Sequence, residues 1–194
     1  MRTQFYIIRH GRTLFNDKKL IQGSSDSPLT KEGVIQAGHL RDHLRTIPFK
    51  LGASSTSERA MDTLEIIADH RFPTEYLKGL KEVSFGTLEG DPLIKAFPEG
   101  KLLREGYEAY GGETPKTAER RFEKTLRQIA VDGNILIVSH GAVILEFLRT
   151  LSTELRESEE FPGVLVPNCS VTKVLYEQNT FTLETMPDAS MREA

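Results

Sequence analysis

Apolar positions along the chain follow two rhythms. Two short unbroken runs, Phe5-Tyr6-Ile7-Ile8 and Ile135-Leu136-Ile137-Val138, have the length and the β-branched or aromatic content of buried strands. Elsewhere apolar residues recur three and four apart, the mark of a helix with one buried face. Val34, Ala37, Leu40 and Leu44 form such a stripe on a helix running from Thr30 to about Arg45. Thr30 reads as its N-cap, Leu29 and Val34 as a hydrophobic staple, and Pro48 as the stop that follows. Ala60, Leu64 and Ile67 share a face of a helix opening at Ser57-Glu58-Arg59-Ala60. Phe122, Leu126 and Ile129 do so on a helix entered through Glu113 and Thr114, and a further helix is expected at about 142–151. Residues 51–54 and 74–77 read as brief strands, and 170–176 with 180–185 as a hairpin.

The segments lacking either rhythm are informative too. Residues 12–29 are polar, and residues 84–112 form an irregular stretch too long for an ordinary connection, a length that points to function or disorder. The acidic run 154–160 reads as a loop, and the tail after Pro187 as a fraying end. No repeat, low-complexity tract or linker divides the chain, so residues 1–194 are expected to form one domain.

Composition narrows the picture only slightly. The chain is 38% hydrophobic and 27% charged, as ordinary soluble globular proteins are. A formal net charge of −3 gives no electrostatic reason to expect a nucleic-acid or membrane partner, while leaving room for a local basic pocket and a small anionic substrate. The single cysteine, Cys169, excludes an intramolecular disulfide and reads as a small core residue rather than a nucleophile. Without a signal-like or membrane-length apolar stretch, the expected location is the cytoplasm. The sequence leaves the oligomeric state open.

Candidate chemistry lies where the two apolar runs end. The first closes on Arg9-His10-Gly11 and the second on Ser139-His140-Gly141, so two histidines stand at the carboxyl ends of two strands, the edge where open α/β sheets bind ligands. Taken singly, each also reads as a polar strand terminus with a satisfied histidine. His39 and His43 have the i, i+4 spacing of a zinc site, yet Arg41 stands where a metalloprotease carries its glutamate, and both lie off the apolar stripe on an expected solvated face. Glu113 is placed in the first turn of its helix, where a carboxylate favours the dipole, and Arg120-Arg121 reads as an exposed pair. Arg12 either adds positive charge at a pocket mouth or points into water.

In order along the chain come Arg9-His10-Gly11 with Thr13 and Asn16, Gly23, Asp26-Ser27-Pro28-Leu29-Thr30, Ser57-Glu58-Arg59-Ala60, Leu80-Lys81-Glu82, Phe85-Gly86, Leu88-Glu89-Gly90, Gly112-Glu113-Thr114 and Val138-Ser139-His140-Gly141. This ordered set resembles the histidine phosphatase superfamily, which includes the cofactor-dependent phosphoglycerate mutases. Arg12 and Ala142 depart from its common pattern without removing a chemical group. The resemblance implies a three-layer α/β/α sandwich around a mostly parallel sheet, phosphoglycerate mutase-like, with residues 84–112 covering the active site. It also implies a phosphohistidine mechanism. His10 would be the nucleophile and Glu82 the general acid and then base. Arg9, Arg59 and His140 would bind the phosphoryl oxygens, with Asn16, Gly23 and Gly141 assisting.

These residue types suit the reaction. Phosphoryl transfer needs an in-line nucleophile and positive charge spread around the equatorial oxygens. A neutral imidazole held through one nitrogen attacks with the other, and guanidinium forks match phosphate oxygens. The expected substrate is a small phosphorylated molecule or a phosphoprotein, hydrolysed with no metal and no cofactor. Mutase relatives carry a longer insertion after the acid, with an arginine pair for a second phosphate. Residues 83–112 here offer only Lys95, Lys101 and Arg104, which favours hydrolysis over a phosphoglycerate mutase. An expectation of another class is a regulatory module that binds a phosphorylated ligand without turnover.

Overall fold

The computed structural model describes residues 1–98, 106–158 and 160–193. Six strands form one sheet: β1 (Arg2–Arg9), β2 (Phe49–Ser54), β3 (Thr74–Tyr76), β4 (Gly133–Ser139), β5 (Val171–Glu177) and β6 (Thr180–Asp188). Their order across the sheet is β3-β2-β4-β1-β5-β6. The first four in that order run parallel, and β5 pairs antiparallel with both β1 and β6. Helices α1 (Leu14–Lys18), α2 (Lys31–His43), α3 (Glu58–Ala68), α4 (Pro115–Ile129), α5 (Gly141–Leu151), α6 (Thr153–Glu157) and α7 (Pro162–Leu165) complete the described regular structure with several short 3₁₀ turns.

Alternation along the two apolar strands builds the layers, because successive side chains point to opposite faces. Phe5 and Ile7 of β1, with Ile135 and Ile137 of β4, share one core with Phe122 and Leu126 of α4 and Phe147 and Leu148 of α5. Tyr6, Ile8, Leu136 and Val138 share the other with Leu40 of α2, Leu44 and, on α3, Leu64 and Ile67. The chain thus leaves β1 toward the α2/α3 face and leaves β4 toward the α4/α5 face. Adjacent parallel strands whose connections depart in opposite directions open a crevice at their carboxyl ends. Pairing of Arg9 with Ser139 places His10 and His140 together at its floor.

Local caps follow the chain's chemistry: Thr30 and Thr114 Oγ1 accept from the N–H groups of Gly33 and Thr117. Several expectations are corrected. Val34 is 47% exposed, because α2 turns Gly33, Gln36, Ala37 and Leu40 inward. Within the polar stretch 12–29, Thr13 caps the short α1. Much of the acidic run is helix α6, capped by Ser152 Oγ, with residue 159 outside the described part. The tail is docked: Arg192 donates to the Asn168 carbonyl and its own carbonyl meets His39 Nδ1. His39 therefore serves as a tether rather than lying on a solvated face.

Burial on both sides of β4 should make Ile137→Ala cost about 2–5 kcal/mol, whereas Val34→Ser should stay within about 0.5 kcal/mol. Urea unfolding of the two variants checks the assignment of the two positions.

Candidate active site

His10 follows β1 and His140 follows β4, with ring centroids 5.2 Å apart. Gly11 comes next because the amino-terminal turn of α2 packs directly on it: a Cβ there would lie 2.7 Å from the Gly33 carbonyl oxygen. The His10 Nδ1 atom lies 2.8 Å from the Gly11 carbonyl, so that nitrogen carries the proton and donates. This leaves Nε2 with its lone pair and no partner among the described residues. Burial, then the charges of Arg59 and Arg9, hold the His10 imidazole well below the usual histidine range. His140 is lowered in the same direction by burial, Arg59, His10, Arg9 and Arg121. Both rings are therefore neutral at neutral pH.

Around this pair the polar groups are incompletely satisfied. Arg9 donates from Nη1 to the Val166 carbonyl at 2.8 Å, but its Nε is buried without a partner, as are Arg59 Nε and His140 Nδ1. The Gly141 N–H, first in α5, also makes no hydrogen bond among the described residues, whereas the next two amides of the helix are engaged. Burying an unmatched polar group costs about 1–3 kcal/mol, and a cluster of such donors is chemically suited to an oxyanion. Burial pushes Arg9 down to about 10, which leaves it cationic at neutral pH.

Glu82 faces the same space from the loop after β3. It is 8% exposed. One carboxyl oxygen accepts from Val83 and Val143 N–H at 2.9 and 2.8 Å, the other from Ala142 N–H at 2.9 Å. Burial raises its affinity for a proton, and the three amides oppose that rise. Arg121 holds the backbone here, donating to the carbonyls of Gly79, Lys81 and Glu82 while pairing with Glu113 at 2.7 Å. Arg121 is thus a clamp, not half of an exposed pair, and Glu113 lies before the Thr114 cap rather than in the first helical turn.

His10 and Glu82 line one cavity of about 290 Å³. Its lining is part apolar, with Leu20, Phe85, Leu93, Phe97 and Phe161, and part polar, with Arg12, Asn16, Gln22, Gln36, Asn168 and Arg192. From the described part of residues 84–112, Phe85, Leu93 and Phe97 line this cavity, while Lys101 and Arg104 lie outside the described residues, and Lys95 pairs with Asp91. Arg12 lines the cavity but is half exposed and pairs with Asp17, so it stands both at the mouth and in water. Asn16 and Gly141 also line the cavity.

Two expected phosphate ligands are placed differently. Arg59 is fully buried behind the floor, and its fork is spent: Nη1 donates to Ser25 O and Asp26 Oδ1, Nη2 to Gln22 O and Gly23 O. Only its Nε is left unmatched. The Gly23 N–H is given to Glu89, whose carboxylate also takes the amides of Ser24, Ser25 and Phe85. A carboxylate already fills the concavity where an anion was expected. Asn168 and Arg121 carried no local signal. Asn168 donates to the His10 carbonyl at 3.0 Å and to Asn16 Oδ1 at 3.1 Å, bracing the histidine from 158 residues away. Cys169 is buried, its thiol pushed up to about 12, and so is not a thiolate.

Residues 5–189 match the family model described as histidine phosphatase superfamily (branch 1). The chain is similar to a protein of Yersinia pestis (strain Pestoides F) named "Probable phosphoglycerate mutase GpmB", with 32% identity over 187 residues covering 91% of this chain and 86% of that one. Among solved structures it is similar to a phosphoglycerate mutase from Bacillus anthracis str. Sterne, at TM-score 0.86 and 26% identity, covering 98% of this chain and 95% of that one. It is also similar to the alpha-ribazole phosphatase from Shigella flexneri, at TM-score 0.73 and 26% identity, covering 97% of each chain.

The lowered histidines predict a pH dependence of folding. Below pH about 6.5 the unfolded chain binds protons that folded His10 and His140 refuse, so stability falls as pH drops from there. Glu82 acts oppositely, its raised affinity adding stability on acidification that is lost as pH rises above about 4.5. Denaturant midpoints between pH 7 and 5 should therefore fall less steeply for the His10→Asn/His140→Asn protein, and more steeply for Glu82→Gln, than for the unmodified chain.

Proposed function

The chain belongs to the histidine phosphatase superfamily, and from that premise we propose that it is a phosphomonoesterase working through a phosphohistidine at His10, with no metal required. One observation carries the reading: a neutral imidazole with Nδ1 pinned by the Gly11 carbonyl and Nε2 unpartnered lines the same cavity as the buried carboxyl of Glu82. Members of this superfamily are phosphatases or mutases, so either activity makes the chain an enzyme.

In the first step His10 Nε2 attacks phosphorus while the bond to the leaving oxygen breaks. Arg9 Nε, Arg59 Nε, His140 Nδ1 and the Gly141 N–H are the unmatched groups that supply donors to the equatorial oxygens. Asn16 assists from the cavity wall. Glu82, its proton favoured by burial, protonates the departing alkoxide; it then takes a proton from the water that attacks the phosphohistidine, and His10 leaves as neutral imidazole. Arg59 contributes through one nitrogen and its charge, and by holding loop 22–26, rather than through a bidentate fork. The apolar wall fits a compact carbon body on the ester, and 290 Å³ suits a small molecule.

Hydrolysis is favoured over mutase activity because the described residues of the segment after Glu82 present the cavity with Phe85, Leu93 and Phe97, not with a second cationic clamp. The name carried by the Yersinia relative keeps the mutase as the second reading. Net phosphate release from monoesters supports hydrolysis, and isomerisation of a phosphoglycerate without release supports the mutase.

His10→Ala should abolish turnover with the fold intact, and acid-labile, alkali-stable phosphate trapped on the unmodified protein should map to His10. Label on Cys169 or a serine would overturn the mechanism, and activity lost to EDTA and restored by zinc or magnesium would overturn its independence of metal. Glu82→Gln should slow an alkyl phosphate by roughly 10²- to 10⁴-fold while slowing phosphoenzyme formation from p-nitrophenyl phosphate far less, because a nitrophenolate leaves without a proton. Equal losses on both substrates, read by rapid quench, would mean that Glu82 shapes the pocket without transferring a proton.

A further inference from the structure

Ser55 immediately follows β2 and is fully buried, with its amide on the Val138 carbonyl at 3.1 Å. That pairing sets its side chain beside the end of β4, where Ser55 Oγ lies 2.7 Å from His140 Nε2. The same hydroxyl oxygen accepts from the Ser57 N–H at 3.2 Å. A hydroxyl has one proton to give and two lone pairs, and a neutral imidazole carries its proton on one nitrogen only.

Counting partners distinguishes the two possible tautomers. With the proton on His140 Nε2, that N–H and the Ser57 N–H fill both lone pairs of Ser55. The hydroxyl proton then has no acceptor among the described residues, and the buried Nδ1 lone pair has no donor. With the proton on Nδ1, Ser55 donates to Nε2 and accepts from Ser57, and the Nδ1–H alone is unmatched. One orphan replaces two, each costing about 1–3 kcal/mol when buried. We infer that Ser55 is a positioning residue that sets the tautomer of His140, keeping the proton on Nδ1 as a donor beside His10.

The assignment itself stands on the geometry; its effect on catalysis rests on the proposed phosphohistidine reaction. Without the Ser55 hydroxyl, the Nε2–H form becomes competitive and presents a lone pair where the phosphoryl oxygen needs a donor. The charged and titratable groups that act on His140 are Arg9 at the end of β1, His10 just after it, Arg59 of α3 and Arg121 of α4. None is altered by changing Ser55, so the ratio of variant to unmodified rate isolates the tautomer.

Long-range ¹H–¹⁵N correlation spectra of the unmodified, ¹⁵N-labelled protein at pH 7 should show His140 protonated on Nδ1, and Ser55→Ala should move it toward Nε2. Phosphate release by Ser55→Ala at pH 7 should fall by up to the roughly 10²- to 10³-fold seen when an oxyanion donor is lost. Ser55→Thr, which keeps the hydroxyl, should restore both spectrum and rate. A proton on Nε2 in the unmodified protein overturns the inference, and this holds even where the alanine variant fails to fold. A deficit that persists in a threonine variant whose spectrum is restored overturns it as well. No phosphate release from any of these proteins, with the spectra as expected, would overturn the phosphatase reading and leave the tautomer assignment standing.

Discussion

Parallel pairing of β1 with β4 is the constraint on which the site depends. Its register sets Arg9 opposite Ser139, so the next residue of each strand is a histidine, and the His10 amide is tied to the Ser139 carbonyl at 3.0 Å. A shift of one residue would turn the alternating core residues of both strands to the wrong layers, so the packing of two apolar faces enforces the separation of two polar side chains. Rigidity comes to the imidazoles from cores on both sides of the sheet, one of which extends to the cavity-lining Phe85 and Phe97.

Such a floor is electrostatically expensive, and the surroundings offset it asymmetrically. Arg59 is compensated by four oxygen acceptors from loop 22–26, and that loop is held in turn by the Glu89 carboxylate. Glu82 is compensated by amides at the head of α5, a helix end that favours negative charge, with its backbone clamped by Arg121. The two histidines receive no counter-charge and stay neutral. Arg59 and Glu82 thus each have close polar partners, while Arg9 Nε, Arg59 Nε and His140 Nδ1 keep unmet hydrogen-bonding capacity. Donors gathered in this way are what an anionic ligand would need.

How much of this was legible in the sequence follows the range of the interactions. β1, β4 and the caps at Thr30 and Thr114 depend on neighbours within a few residues, and the local pattern identified them. The inward face of α2 was misjudged at Val34 because a buried glutamine there accepts the Arg12 N–H, a contact spanning 24 residues that apolar periodicity does not register. Arg121 looked exposed for the same reason, its partners lying up to 42 residues away. The docked tail depends on Asn168 and His39. Within the candidate site, an ordered motif pointed to His10, Glu82 and His140, whereas the spent fork of Arg59 and the bracing by Asn168 depend on how loops converge. Residue type announces which chemistry is available, and only packing decides which atom of each residue is left to use.

That distinction bears most on Glu82, which in the proposed reaction must first give a proton and later take one. Its affinity is a balance between burial, which favours the neutral acid, and three amides, which favour the carboxylate. A balanced group responds strongly to a change in nearby charge. An arriving phosphate adds negative charge and tips Glu82 toward the protonated form needed for the leaving oxygen. Departure of the alcohol removes the proton, and the amides stabilise the carboxylate that results. Water entering beside the phosphohistidine then meets a base prepared by the preceding step. On this argument the switch needs no movement of the protein: the head of α5 and the buried cavity wall hold opposing influences on one carboxyl group, and the substrate's own charge decides which prevails.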